Sequence, residues 1–330
     1  MTSSLLVLVV FAAAEAMEPL ALPNGEGGIG FDDLRFSPEL HRVVVPAGRS
    51  GRLDLIDPET RAVDAISGFS SSSSARGHSQ GTTSADAGEG LLFASDRTRG
   101  TLNVVDPSTK QIVAQAKLGG GPDYVRWVAP LGEVWVTEPD EEAIEIFRLE
   151  RKSPPRLTRA GKIEARDGPE SLEIDVRRRR AYANTWHDST LALDLESRRI
   201  VARWTNGCKR ARGLALDAER GFVFVGCEEG KAVALDVEHD GKILGRAATG
   251  KGVDVIAFGA RLSHLYVPAA DSANLTVVGV RARGDLEVLG TVSTAPDAHC
   301  VTADDAGNAY VCDPRKGRLL VFRDSYPPSR

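Results

Sequence analysis

One phrase recurs along this chain at a nearly fixed interval: an apolar strand, a polar turn, then a second strand. Residues 52–66 read RLDLIDPETRAVDAI and residues 101–115 read TLNVVDPSTKQIVAQ. Further copies are AIEIFRLERKSPPRLTRAG (143–161), STLALDLESRRIVARW (189–204), KAVALDVEHDGKILGR (231–246), NLTVVGVRARGDLEVLG (274–290) and the short RLLVFRD (318–324). The turn-opening residues are Asp57, Asp106, Arg148, Asp194, Asp236, Gly279 and Arg323, spaced by 49, 42, 46, 42, 43 and 44 residues. A period in this range marks a repeat architecture, in which each unit buries its apolar face only against its neighbours.

Most copies are preceded by a hairpin of two short runs rich in Val, Leu, Phe and Tyr, such as LEIDVRRRRAYANT and LALDAERGFVFVG. These β-branched and aromatic runs around a polar turn read as strand pairs. The unit is therefore four antiparallel strands in about 43 residues, and the fold class is all-β, a seven-bladed propeller. The last copy stops one strand short, before Pro327-Pro328, which cannot continue a ladder. EPLALP (18–23) has β character and supplies the missing strand, closing the ring against 318–323.

The N-terminus carries ten apolar residues, Leu5 to Ala14, followed by Glu15-Ala16, a form signal peptidase cleaves. The run is too short to span a bilayer as a helix, and no Lys or Arg precedes Arg35. Residues 1–16 are read as a signal peptide, 17–330 as one propeller domain, and the protein as a periplasmic or secreted monomer. Net charge is −5, with both signs interspersed, which speaks against wrapping nucleic acid. The four cysteines fit an oxidising compartment. Cys300 and Cys312 are symmetric about Ala306 in the final hairpin, so they face each other and are expected to be bonded. No Cys-x-x-Cys spacing points to zinc.

The Asp-Pro-x-Thr turns, GPDYV and GPESL before inner strands, and GLALDAERGFVFVGC together resemble the YVTN-repeat, YncE-like seven-bladed propellers. The resemblance covers roughly 18–324 and implies a largely extracytoplasmic family of binding proteins, mostly without assigned catalysis. It includes single-stranded DNA binders, an activity the acidic balance here does not favour. Related propellers also place a cysteine before an inner strand and another at the end of its hairpin partner, which implies a Cys208–Cys227 disulfide.

Chain direction puts the entry to each inner strand and the loop after each second strand on one face, here called upper. Residues preceding the inner strands are Asp32, Gly81, Asp123, Glu170, Arg212, Asp254 and His299. They ring the channel mouth, with Trp186 and His187 overhanging and His78 on the same face. Clustered carboxylates repel unless a cation compensates, so Asp123, Glu170, Asp254 and His299 are candidate ligands for Ca²⁺ or Mg²⁺. The ring is otherwise a polar site for a small ligand or protein partner. An alternative, by likeness to gluconolactonase-type propellers, is a metal-dependent lactonase or lyase. His41, His239, His264 and the arginines 177–180 fall in lower-face turns and are expected to be solvated. SGFSSSSSARGHSQGTTS (67–84) reads as a loop replacing the inner-strand entry of the second blade. No nucleophile elbow, phosphate loop or His-Glu-x-x-His motif is present.

Overall fold

The computed structural model describes residues 17–73 and 80–329. The expected signal peptide and His78 lie outside the described residues. Within them the chain forms seven four-stranded antiparallel sheets. Their innermost strands are Arg35–Ser37, Ala85–Gly88, Val125–Val128, Glu173–Asp175, Ala211–Asp217, Ala257–Gly259 and Val301–Ala303. The N-terminal strand Glu18–Ala21 is the outermost strand of the seventh blade, pairing Glu18 with Val321 and Ala21 with Arg318. Joining both chain ends in one blade closes the ring and leaves no seam.

The apolar alternation explains how the blades hold together. Among the described residues there are seven buried clusters, each built mainly from two neighbouring blades. The second and third strands bury nearly every residue, as in Glu133–Glu138 and Phe222–Cys227. The outer strands instead alternate exposed and half-buried positions, as in Arg199–Thr205. In most blades the register slips by one residue between the third and fourth strands, as between Val104 and Val105, which increases local twist.

Two sequence expectations need correction here. Residues 67–71 are not loop: they continue the outer strand Val63–Ser71 of the first blade, with Ser67 opposite Arg52 and Ser71 opposite Ser50. His264 is not solvated. It begins a central strand of the sixth blade, fully buried, with Nδ1 2.7 Å from Asp324 Oδ2 and Nε2 3.2 Å from the Pro327 carbonyl. The reason is the C-terminal segment, which folds back over this hairpin and hides what would otherwise be its tip. His41 and His239 do lie at exposed turns, beside Glu59 and Asp236. The arginines 177–180 are tied rather than free: Arg178 bonds Asp175 and Glu238, Arg179 pairs with Glu196, and Arg180 with Asp194.

Candidate functional site

Residues three before matching inner-strand positions share one height, because main-chain bonds lock one blade to the next there. The Asp33 amide donates to the Thr83 carbonyl (3.1 Å), Gly213 to Asp254 (3.0 Å) and Val255 to His299 (3.0 Å). A Cβ on Gly213 would stand 2.4 Å from the Asp254 carbonyl oxygen, so only glycine permits that approach. The ring is thus Asp32, Thr83, Asp123, Glu170, Arg212, Asp254 and His299. Thr83 takes the second-blade place expected for Gly81. Gly81 packs instead against the Gly48 carbonyl, at positive φ, in the seam between the first two blades.

The mouth has internal counter-charges that sequence reasoning only half supplied. Arg212 donates to Glu170 Oε1 (2.7 Å) and to Glu228 Oε2 (2.6 Å), and Trp186 Nε1 bonds Glu170 Oε2. Arg97, from the loop of the second blade, stands 3.7 Å from Asp32 and 3.6 Å from Asp123. His187 does not reach the ring; it is exposed and bonds Asp167 at 2.7 Å. Two guanidiniums do not neutralise the carboxylates. Burial, with the charges of Asp32, Glu170 and Asp254 outweighing Arg97, pushes the Asp123 carboxyl well up. Burial and Asp254 likewise push Glu170 up to about 7, despite Arg212 and Trp186. The same contacts hold Arg212 firmly charged, against its own burial. Both carboxyls are thus held toward their protonated forms, and a bound cation would draw them back toward the charged form.

Below the mouth lies a second charged layer that the sequence reading missed. Matching inner-strand positions are Arg35, Asp86, Arg126 and Glu173 in the first four blades, and Ala215, Ala257 and Thr302 in the last three. Arg126 grips Asp33 with bonds of 2.6 and 3.1 Å and reaches Glu173 at 3.4 Å. Arg35 bonds Asp86 (3.1 Å) and spans from the first blade to Glu173 of the fourth at 2.9 Å. Burial raises Asp33 in spite of Arg126. For Glu173, burial is outweighed by Arg35 and Arg126, and its carboxyl stays below the usual range. The alternation of sign across four repeats is visible in the sequence once the repeats are aligned by register.

A cavity of about 440 Å³ follows the channel from just under the mouth, at Asp33, Tyr124 and Val255, past this layer. Its walls include Arg126 and Glu173 on one side and Leu214, Ile256, Phe258 and Val301 on the other, and it runs down to Pro38 and Arg261 near the lower hairpin tips. The ring residues themselves do not line this cavity, whereas Arg35, Arg126 and Glu173 of the charged layer do.

The two cysteine pairs behave differently. Cys208 and Cys227 form a disulfide with Cα atoms 5.3 Å apart. Cys300 and Cys312 oppose each other as the symmetric spacing requires, but both are free thiols, which corrects the expected second bridge. The Cys312 amide donates to the Cys300 carbonyl (3.0 Å), while the Cys300 amide is taken up by Cys312 Sγ (3.2 Å). That sulfur is thereby held as a hydrogen-bond acceptor beside His299, whose Nδ1 is 4.0 Å away.

No protein-family model matches the chain, and no curated protein matches it in sequence. Solved structures do match in fold. A chain of Kuenenia stuttgartiensis hydrazine synthase aligns with TM-score 0.72 and 14% identity over 92% of this chain and 97% of that one. A chain of the mitotic checkpoint complex gives 0.75 and 12%, covering 98% and 99%. The Myceliophteria thermophila Cps50 (Swd1) β-propeller domain gives 0.71 and 10%, covering 93% and 99%. At these identities the likeness concerns the fold.

Proposed function

We propose that the protein is an extracytoplasmic, YVTN/YncE-like binding propeller whose channel mouth accepts a cationic ligand, or a cationic group of a protein partner, without catalysis. The observation carrying this reading is the excess of buried and half-buried carboxylates at the mouth. Asp32, Asp123, Glu170 and Asp254 outnumber Arg97 and Arg212, and burial with their mutual repulsion raises the carboxyls of Asp123 and Glu170. A cation binding there offsets that repulsion. The Cys208–Cys227 bridge suits an oxidising compartment. No helix among the described residues is long and apolar enough to cross a membrane. Propeller neighbours include both an enzyme and an assembly named as a complex, so the fold leaves the choice of function to the site.

Arg97 and Arg212 favour this reading over the metal-dependent lactonase. Fixed guanidiniums against the carboxylates oppose a bare divalent ion and favour a ligand that also carries acceptor groups for them. Thermal melting with Ca²⁺, Mg²⁺, Mn²⁺ and, separately, an arginine ester tests the point. A rise in Tm with the ester, lost in Glu170→Ala and Asp254→Ala, supports the binding reading by linkage. A rise with a divalent ion alone, together with lactone hydrolysis, supports the alternative. No rise with any probe overturns both and leaves the mouth a polar lining.

A further inference from the structure

A distinct set of donors lies at the edge of the mouth, on the seventh blade. The ligand atoms of His299, Cys300 and Cys312 all lie within 4.8 Å of one another. Cys300 and Cys312 are fully buried, and His299 is half-buried at the channel rim. We propose that these three residues form a binding site for a thiophilic d¹⁰ cation, Zn²⁺ or Cu⁺, independent of the carboxylate ring.

Four features carry the proposal. The first is distance. A tetrahedral ion with Zn–S of about 2.3 Å and Zn–N of about 2.05 Å sets its sulfur and nitrogen ligands about 3.5 Å apart. The observed separation of 4.0 Å between Cys312 Sγ and His299 Nδ1 needs only a small closing movement. The second is the outer shell. His299 Nε2 lies 2.9 Å from the Phe31 carbonyl, a bond that fixes the ring, while Nδ1 stands 2.7 Å from the Asp297 carbonyl and gives up that partner when it turns to an ion held by the sulfurs. The Cys300 amide donates to Cys312 Sγ, a contact that stabilises a thiolate. Such partners orient and tune metal ligands.

The third feature is rigidity. Cys300 immediately precedes the inner strand Val301–Ala303, Cys312 lies within Asn308–Asp313, and both belong to the cluster that seals the seventh blade against the first. The fourth is burial itself. Redox-active and nucleophilic cysteines need partial exposure, whereas these sulfurs have none. A metal ion is small enough to enter past His299. Without it, the protein holds two free thiols and an imidazole together in a core, whereas the other cysteine pair, between the fourth and fifth blades, is a disulfide. Thiolate and imidazole select Zn²⁺ or Cu⁺ over the Ca²⁺ and Mg²⁺ that oxygen ligands take. Coordination releases the thiol protons and the proton that Nδ1 shares with the Asp297 carbonyl, 2.7 Å away. Sequence spacing hid the set, because a hairpin rather than a local Cys-x-x-Cys loop assembles it.

Titrating the reduced full chain with Co²⁺ tests the site through its sulfur-to-cobalt charge-transfer absorption. One equivalent should develop the band, and Zn²⁺ should bleach it. Cu⁺, delivered against a competing chelator, should compete with Zn²⁺ at the same stoichiometry, as two thiolates and an imidazole allow. Cys312→Ser and Cys300→Ser should abolish the band, and His299→Gln should weaken binding at least tenfold. Cys208→Ser should keep the band, showing that the reduced second pair is not its source; Asp123→Asn should keep it too, separating this site from the carboxylate ring. The proposal is overturned if the reduced parent gives no charge-transfer band. It is equally overturned if Cys300→Ser or Cys312→Ser, folded by circular dichroism, binds Co²⁺ as the parent does.

Discussion

The channel is built from two unlike arcs. Inner strands of the first four blades line it with Arg35, Asp86, Arg126 and Glu173, joined by Asp33. The last three blades place Ala215, Ala257 and Thr302 at the same positions, beside Leu214, Ile256 and Val301. Each arc closes the same ring with the same backbone, so the fold does not require charge at these positions. Ion pairs buried this deeply are weak evidence for stability, since desolvation offsets most of the attraction. The charged arc is therefore not explained by the needs of the fold, and it gives one side of the cavity a charged wall opposite an apolar one.

Breaking the charged arc should give the largest effect. Arg126 is almost fully buried and holds both Asp33 and Glu173. Arg126→Met leaves buried Asp33 with no guanidinium and Glu173 with Arg35 alone, at an expected cost of about 3–5 kcal/mol, read from denaturant midpoints. The comparison is sharpened by replacing all five charged residues with apolar ones of the kind that line the other arc. That chain should regain most of the lost stability. If it is instead less stable than Arg126→Met, the charges stabilise the ring and the contrast between the arcs collapses.

In the apolar arc the corresponding test is covalent. Cys208–Cys227 closes a separation of 19 residues in the fifth blade. Cys227→Ser should lose about 3 kcal/mol by the chain-entropy estimate, measured by thermal or urea unfolding under non-reducing conditions. Equal stability of parent and variant would mean that the bridge is not formed in the native protein.

The junction of the arcs at the mouth should respond to pH. Glu170 has its carboxyl raised from 4.5 to about 7. The folded protein thus binds a proton that the unfolded chain releases, and stability must fall as pH rises between those values. The expected loss is about 2–3 kcal/mol, at roughly 1.4 kcal/mol per unit of pKa, with Asp123 adding in the same sense. Glu170→Gln should flatten the fall, and a saturating cationic ligand should do the same in the parent. A pH–stability curve that rises over this interval would contradict the protonated mouth.

How far these features are legible follows from which distances the sequence encodes. Repeat spacing sets the blade count, and the missing last strand places residues 18–21 against the chain's end, because both depend on local pattern. The opposition of Cys300 and Cys312 follows from symmetry about a turn; whether they bond depends on where the Cys300 amide points. Counting along the chain lands on Gly81 rather than Thr83 because an irregular insertion removes the count between repeats. His264 reads as solvated because its cover, the Asp324–Ser329 tail, comes from a segment with no strand pattern. Arg97 escapes notice since it enters the mouth from a loop of the neighbouring repeat, outside the aligned column.

That guanidinium supports the smallest predicted effect. Arg97 is about a fifth exposed and stands more than 3.5 Å from either carboxylate, so its pairs are near the weak end of ion-pair energies. Arg97→Gln should cost under about 1 kcal/mol of stability. Its consequence lies in charge: Arg97 is the cation opposing the rise of the Asp123 carboxyl. Removing it should push Asp123 further up and leave the mouth more acidic by one charge. Affinity for a simple cation should therefore rise above neutral pH, whereas a ligand that also needs a donor for its own acceptor groups should bind more weakly. Calorimetry with Ca²⁺ and with an arginine ester separates the two responses. Parallel changes for both probes would show that Arg97 acts only through net charge and has no contact with the ligand.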